Sequence, residues 1–411
     1  MNKVKLGDVI SVKHGWAFKG EFFSNSGNQI VLTPANFYEQ GGFKTTPGKE
    51  KYYSSTYPAE YLLKKGNLVV AMTEQSEGLL GSAGFIPCDN VYLHNQRIGL
   101  ITAKSHNIDL RFVNYLLRCP YVRKQIEASS SGSKVKHTSP EKLYDVDVAI
   151  PSLERQKEIA NLLDMIDNKI ALNKRTMSEL EKTARLIYDY WFTQFDFPDE
   201  NGNPYRTSGG KMAHNKTLNR KIPASWEAGT LADLACYGDA PISNSNLTVD
   251  IYISTDNMSP NRGGITLSQY LPKAGFSSKY ERYDILLSNI RPYFKKIWLA
   301  DRVGGCCNDV LVIHPLRENA WAYLYWTLES EVFFAYDTAG AKGSKMPRGD
   351  KEHIMRYPLP IAPPELLERF SYKFKPLFQQ HCELAHESTE LATLRNWLLP
   401  MLMNGQVNTN D

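Results

Sequence analysis

The sequence predicts an α+β fold: two β-rich globular blocks separated by two long helices, an internal pseudo-twofold repeat whose helices pair as an antiparallel coiled coil. Three observations predict it. Displacing the chain by 211 residues lays Gly132-Ser133-Lys134 on Gly343-Ser344-Lys345, Ile150 on Ile361 and Glu154 on Glu365. With small gaps the match runs upstream, Leu6-Gly7-Asp8-Val9 on Leu231-Ala232-Asp233-Leu234 and Thr33-Pro34-Ala35-Asn36 on Ser254-Thr255-Asp256-Asn257. Each copy opens with short β-branched and aromatic runs broken by glycine and proline, the punctuation of strands and turns. Each then changes period, from alternation to spacings of four and three, the signature of a helical seam.

In order along the chain, residues 1–151 form the first block. Its strands are expected at 28–33, 67–72 and 97–102, with one helix over 110–127 where Phe112, Tyr115, Leu116, Val122 and Ile126 recur at helical spacing. Residues 152–192 form the central helix, whose seam runs through Ile159, Leu163, Ile166, Ile170, Asn173, Met177, Leu180, Ala184, Ile187 and Trp191. Residues 193–221 are a connector dense in turn signals and without periodicity, either a linker or an interaction loop. Residues 222–362 repeat the block, with strands at 250–254, 283–288 and 309–313 and a helix over 320–336. Residues 363–403 repeat the helix through Phe370, Phe374, Leu377, His381, Leu384, Ser388, Leu391, Arg395 and Leu398, and 404–411 are a tail. Ser388 and Arg395 fall on core positions, which is costly but can fix register. At about 1.5 Å per residue a helix of this length is a rod of roughly 60 Å.

Composition narrows the class. A hydrophobic fraction of 42% with 22% charged residues is that of an ordinary globular protein. Neither a signal peptide nor an apolar run of membrane-spanning length is visible, so a cytoplasmic protein with no membrane partner is expected. Six cysteines without a C-x-x-C pair are read as reduced thiols, with no metal site. Charge is uneven: residues 1–150 hold 18 Lys+Arg against 13 Asp+Glu, a net of +5, whereas 222–362 hold 14 against 15, a net of −1. The first block suits a polyanion.

No catalytic constellation emerges. No two glycines are separated by a single residue, which removes G-x-G nucleotide cradles, and neither Gly-Lys pair is followed by Ser or Thr, which removes a P-loop. Asn289-Ile290-Arg291-Pro292-Tyr293 is a near miss to the tetrapeptide with which amino-methyltransferases hold a flipped base, without a cofactor motif beside it. Asp167-Asn168-Lys169 matches the acidic-x-Lys pattern of nucleases but lies inside a helix.

Two segments in each block carry donors suited to DNA. The first is the glycine-serine-lysine loop, with Lys134, Lys136 and His137 in one copy and Lys345 and Arg348 in the other. Small residues there let the backbone approach phosphate while cations supply charge-assisted bonds. The second is the loop leaving the central strand. It offers Thr73 and Gln75 in the first copy, and Asn289, Arg291, Tyr293, Lys295 and Lys296 in the second. Arg on guanine and Gln or Asn on adenine are the bidentate major-groove matches. A solvated basic turn is the alternative for the first segment, and the ordinary drift of a duplicated loop for the second.

The stretch Leu180-Glu181-Lys182-Thr183-Ala184-Arg185-Leu186-Ile187-Tyr188-Asp189-Tyr190-Trp191-Phe192 resembles the specificity subunit of type I restriction-modification enzymes. So do Phe195-Asp196-Phe197-Pro198, Gly202-Asn203-Pro204-Tyr205, Ser208-Gly209-Gly210-Lys211-Met212, Ile222-Pro223-Ala224-Ser225-Trp226-Glu227, and the helix start from Pro151 to Ile159. The first block lacks the Pro-x-x-Trp entry of the second. The resemblance implies a non-catalytic subunit whose two target recognition domains read the halves of a bipartite, asymmetric site in double-stranded DNA. The helices, through Ile166, Ile170, Met177 and Leu180 against Leu377, Leu384, Leu391 and Leu398, would separate the domains. It further implies two methyltransferase subunits and motor-nuclease subunits as partners. S-adenosylmethionine, ATP and Mg²⁺ would belong to them, with no cofactor on this chain. A single-chain DNA modification enzyme, or a coiled-coil adaptor that never meets DNA, are the alternatives from other classes.

Overall fold

The computed structural model describes residues 2–132 and 135–407. The chain divides into two compact units, Met1–Leu172 with Glu387–Asp411, and Asn173–His386. The second unit is thus an insertion within the first.

The first unit is built on two four-stranded sheets and a short edge pair. One sheet orders Ile10–His14, Ile98–Ala103, Leu68–Ala71 and Ala83–Phe85, every neighbour antiparallel. Leu68–Ala71 is buried along its whole length, as its continuous apolar run requires. Phe112, Tyr115, Leu116, Val122 and Ile126 close one face of this sheet. They do so from two helices, Leu110–Leu116 and Pro120–Ala128. The single helix expected over 110–127 is divided because Pro120 lacks an N–H and starts a new helix at its first turn. In the second unit the helix expected over 320–336 is likewise two, Trp321–Leu328 and Glu331–Gly340. There Ser330 caps the second by accepting from Phe333 N.

The second unit repeats the plan. Ala235–Tyr237, Val310–Pro315, Ile285–Ser288 and Ile297–Leu299 reproduce the main sheet strand for strand. The edge pair Asn2–Lys5 with Asp147–Ile150 recurs as Glu227–Thr230 with Pro358–Ile361. The smaller sheets differ in one respect. Tyr52–Tyr53 pairs with Ile30–Val31 in the first unit, whereas Phe276–Tyr280 pairs in the second with Gly304–Cys306, the counterpart of Tyr92–Leu93. The strands expected at 28–33 and 250–254 are short, Ile30–Val31 and Tyr252–Ile253.

The long helices are Leu153–Tyr188 and Pro364–Met403. Within the first unit their segments run antiparallel. Arg155 Nη2 donates to Val407 O at 2.7 Å, Arg395 Nη1 to Asp167 Oδ1 at 2.6 Å, and Lys169 pairs with Glu387 at 3.2 Å. Within the second unit the same sense holds, Glu181 Oε1 lying 2.9 Å from His381 Nε2 and Trp191 packing 5.8 Å from Phe370. Ile166 and Ile170 are buried, and Met177, Leu180, Leu377, Leu384, Leu391 and Leu398 are half-buried. Arg395, costly on the sequence pattern, is matched. Asp167 accepts from it and, through its other oxygen, from Arg118 Nη1 at 2.8 Å. The acidic-x-Lys pattern is therefore part of a structural ion network.

The central helix widens into a π turn over Asp189–Thr193, which delivers Trp191 and Phe192 to the second unit's core. Residues 193–221 are not a free linker. Asp196, 7% exposed, accepts from Thr207 N and Oγ1, both at 2.7 Å. Phe197 stacks between Tyr205 at 4.7 Å and Trp226 at 5.4 Å, and Met212–Asn215 pairs with Arg220–Pro223 as a hairpin. No helix among the described residues is long and apolar enough to cross a membrane.

Candidate nucleic-acid interface

In both units the two segments singled out from sequence lie against each other. In the first, the buried strand Leu68–Ala71 runs out through Met72 into 73–76, and the segment 131–138 crosses beside it. Thr138 N donates to Met72 O at 2.9 Å and Glu74 N to Lys136 O at 2.9 Å. The crossing segment is closed on itself by reciprocal bonds, Ser131 N to His137 O at 3.0 Å and His137 N to Ser131 O at 2.8 Å. Gly132, at φ +104°, is obligatory: a Cβ there would stand 2.2 Å from Val135 O.

The second unit matches bond for bond. Lys342 and Arg348 exchange backbone bonds of 2.8 and 2.9 Å, Arg291 N donates to Pro347 O at 2.8 Å, and Gly349 N to Asn289 O at 3.0 Å. Each unit therefore presents one platform made of a strand exit and a small closed loop.

The side chains on the platforms differ. In the first, Gln75 and His137 are exposed. Thr73 is not: it is 5% exposed, and its hydroxyl lies 3.1 Å from His137 Nδ1. It props the loop from beneath rather than facing a ligand. Lys136 pairs with Glu127 and stands 4.0 Å from Glu74; the Glu127 hydrogen bond raises its pKa above the ordinary lysine value. Lys134 lies outside the described residues. Arg123 ties the platform's neighbours together, Nη2 donating to Glu39 O at 2.7 Å and also to Gly78 O. Burial pushes its pKa down to about 10.

In the second, a one-turn 3-10 segment, Pro292–Phe294, is bracketed by two non-glycine residues in the left-handed region, Arg291 at φ 54° and Lys295 at φ 51°. The bracket is held from outside by Asn261 N on Phe294 O at 2.7 Å and Arg262 N on Lys295 O at 2.9 Å. Tyr293 is 46% and Phe294 36% exposed. Lys295 pairs with Glu331 at 2.6 Å, and Arg348 with Asp309 at 3.1 Å. Lys296 Nζ donates to Thr255 O at 2.5 Å, and burial lowers its pKa. Arg291 makes no ion pair among the described residues; its guanidinium lies 5.8 Å from the Phe294 ring. Lys345 is exposed. Asn289 Oδ1 is buried without a donor beside Gly349, and both oxygens of buried Asp337 are likewise without one.

Sequence reasoning missed three contributors. Arg262, bound to Glu329 at 3.0 Å and Glu331 at 2.9 Å, and Asn261 brace the aromatic turn. The run Asn261-Arg262-Gly263-Gly264 is a turn signal that could have pointed there. Asp337 sits on a helix and gives no local signal. Asn36 and Asn257, aligned by the repeat, do the same work in both units. Asn36 Oδ1 accepts from Thr33 N at 2.9 Å, and Asn257 Oδ1 from Ser254 N at 2.6 Å. Among the described residues no cluster of His, Cys, Asp and Glu could hold a metal ion.

Residues 1–182 match the family model described as the type I restriction modification DNA specificity domain. The chain is similar to the MjaVIII type I restriction enzyme specificity subunit of Methanocaldococcus jannaschii, 27% identical over 191 residues, 46% of this chain and 45% of that one. It is 22% identical to the MjaIX specificity subunit of the same organism over 316 residues, 73% of this chain and 69% of that one. With the EcoBI specificity subunit of Escherichia coli it shares 26% over 185 residues, 45% of this chain and 35% of that one. The first and third alignments thus span less than half of those relatives. Among solved structures, the S subunit of a type I restriction-modification system from M. genitalium aligns over 98% of this chain and 96% of its own, with a TM-score of 0.58 at 14% identity. That likeness is one of fold.

Proposed function

We propose, on the premise that this chain belongs to the family of type I restriction-modification specificity subunits, that it reads a bipartite, asymmetric site in double-stranded DNA. It would direct two methyltransferase subunits, and motor-nuclease subunits joined to them, to that site. The observation that carries the reading is the pair of platforms: one backbone arrangement, bond for bond, bearing Gln75, Lys136 and His137 in one unit and Arg291, Tyr293 and Lys345 in the other. A common scaffold fixes how each unit approaches a groove, while unlike side chains give the two half-sites unlike sequences.

Catalysis is assigned to the partners, together with S-adenosylmethionine, ATP and Mg²⁺. The long helices supply surface for those partners. Met165, Leu172 and Trp397 are 63%, 57% and 56% exposed in the first unit, and Leu186 and Tyr372 are 69% and 82% exposed in the second. Apolar side chains so exposed on polar helices suit protein interfaces.

The test is an exchange. Replacing residues 1–150 by the first block of another specificity subunit, and mapping methylated bases in cells carrying the hybrid with its partners, should change one half-site and leave the other intact. Simultaneous change of both half-sites would sink the reading of independent modules.

A further inference from the structure

We infer that the second unit deforms the DNA it reads, by driving the Tyr293–Phe294 pair between neighbouring base pairs as a wedge, while the first unit reads its half-site without one. The inference deepens the DNA-reading function proposed above and rests on it.

Four features of the turn support it. Its tip is apolar and exposed, Tyr293 at 46% and Phe294 at 36%, where a loop of this length ordinarily carries polar groups. The two rings sit edge to face, 4.9 Å apart, and so form a single thick blade instead of two independent side chains. The blade cannot fold back. Buried Pro292 fixes its base, and left-handed backbone at Arg291 and Lys295 turns the chain sharply on either side. The Asn261 and Arg262 amides also hold the far end. Left-handed conformations at residues with side chains are unfavourable, and they persist where the surrounding structure over-determines them, which is characteristic of sites that act on a ligand.

The fourth feature is charge. Arg291, which makes no ion pair among the described residues, lies 5.8 Å from the Phe294 ring, and Lys296, bonded to Thr255 O, lies 5.9 Å from it. Positive charge beside an apolar tip draws it to the anionic duplex, where an apolar side chain can enter a base step. The insertion unstacks the step and kinks the duplex. The corresponding exit in the first unit, Thr73-Glu74-Gln75-Ser76-Glu77, has no aromatic residue and carries two acids, so no wedge is available there.

The experiment uses the full chain assembled with its methyltransferase subunits, on duplexes containing the mapped target. 2-Aminopurine is placed in turn at each position of both half-sites, except the bases that become methylated. The expected result is a several-fold rise in fluorescence at one step of the half-site assigned to the second unit by the block exchange, and no rise across the other half-site. In Tyr293→Ala/Phe294→Ala the rise should vanish. In Phe294→Leu, which keeps an apolar blade, most of it should remain. Urea unfolding of each variant, matching the wild type, shows that the unit is intact. Sequence-selective binding with no responsive step in the second half-site would overturn the wedge and leave the DNA-reading function standing. So would a rise that survives the double substitution. Absence of any sequence-selective binding by the wild-type assembly would overturn both.

Discussion

Asp167 offers a sharp test of how the helix pair is held. Its carboxylate accepts from Arg395 at 2.6 Å through one oxygen and from Arg118 at 2.8 Å and the Tyr115 hydroxyl at 3.1 Å through the other. The side chains of Arg118 and Arg395 are only 6% and 13% exposed, so Asp167→Ala strands two guanidinium groups away from water. Removing one partner of a buried ion pair costs about 3–5 kcal/mol. Asp167 itself is 28% exposed, and solvent screening moves the expectation to the lower end, about 3 kcal/mol. Arg395→Met should cost less, about 1 kcal/mol, because Asp167 keeps Arg118 and the methionine suits a seam position. The double variant should recover part of the loss, giving a coupling energy of about 1–3 kcal/mol.

Acid adds a second reading. Burial alone would raise the Asp167 pKa, but Arg118 and Arg395 outweigh it and hold the group below the ordinary 3.8. A depressed folded-state pKa means stability that is present above 3.8 and lost as pH falls through the folded value. Urea titrations followed by circular dichroism at pH 7 and pH 3 would measure both effects. A pH 7 stability for Asp167→Ala within about 0.5 kcal/mol of wild type, or a coupling energy near zero, would refute the network.

Asp337 should act in the opposite sense. Burial raises its pKa from 3.8 to about 7, so stability is full below 3.8 and falls by about 4 kcal/mol as pH rises towards 7. Asp337→Asn should flatten that fall, and parallel stability curves from pH 4 to 7 would exclude the assignment. Lys345→Ala, removing an exposed cation, should weaken DNA binding alike on cognate and random duplex and reduce the salt slope by about one charge, measured by titrations at several salt concentrations. Arg291→Ala should instead cost about 1–3 kcal/mol mainly on cognate DNA and relax the sequence preference of one half-site, an outcome that equal losses on both duplexes would contradict.

The seam of the helices was legible in sequence because burial there follows a repeating spacing, and each residue of it is turned inward or half-buried. The break at Pro120 is equally legible as a proline, but an apolar periodicity runs across it and masks it. Other features were beyond reach of any local pattern. Arg395 looked like a defect until Asp167, 228 residues away, supplied its partner. Lys295 and Arg348 read as free cations from sequence, yet Glu331 and Asp309 neutralise them from other elements. Both platform segments were named from composition, but their meeting depends on sheet topology, as does the inward turn of Thr73. The aromatic tip was visible as letters; its exposure and its left-handed bracket were not.

The nesting of one unit inside the other has a bearing on synthesis. Leu399, Leu402 and Met403 pack in the same core as Leu6, Ile10 and Phe112. Residues 173–386, which complete the second unit, are translated between them. A nascent chain therefore finishes the inserted unit while the earlier one still waits, with an open apolar flank, for residues made later. A chain truncated after residue 386 should therefore carry a protease-resistant second unit beside a protease-sensitive first.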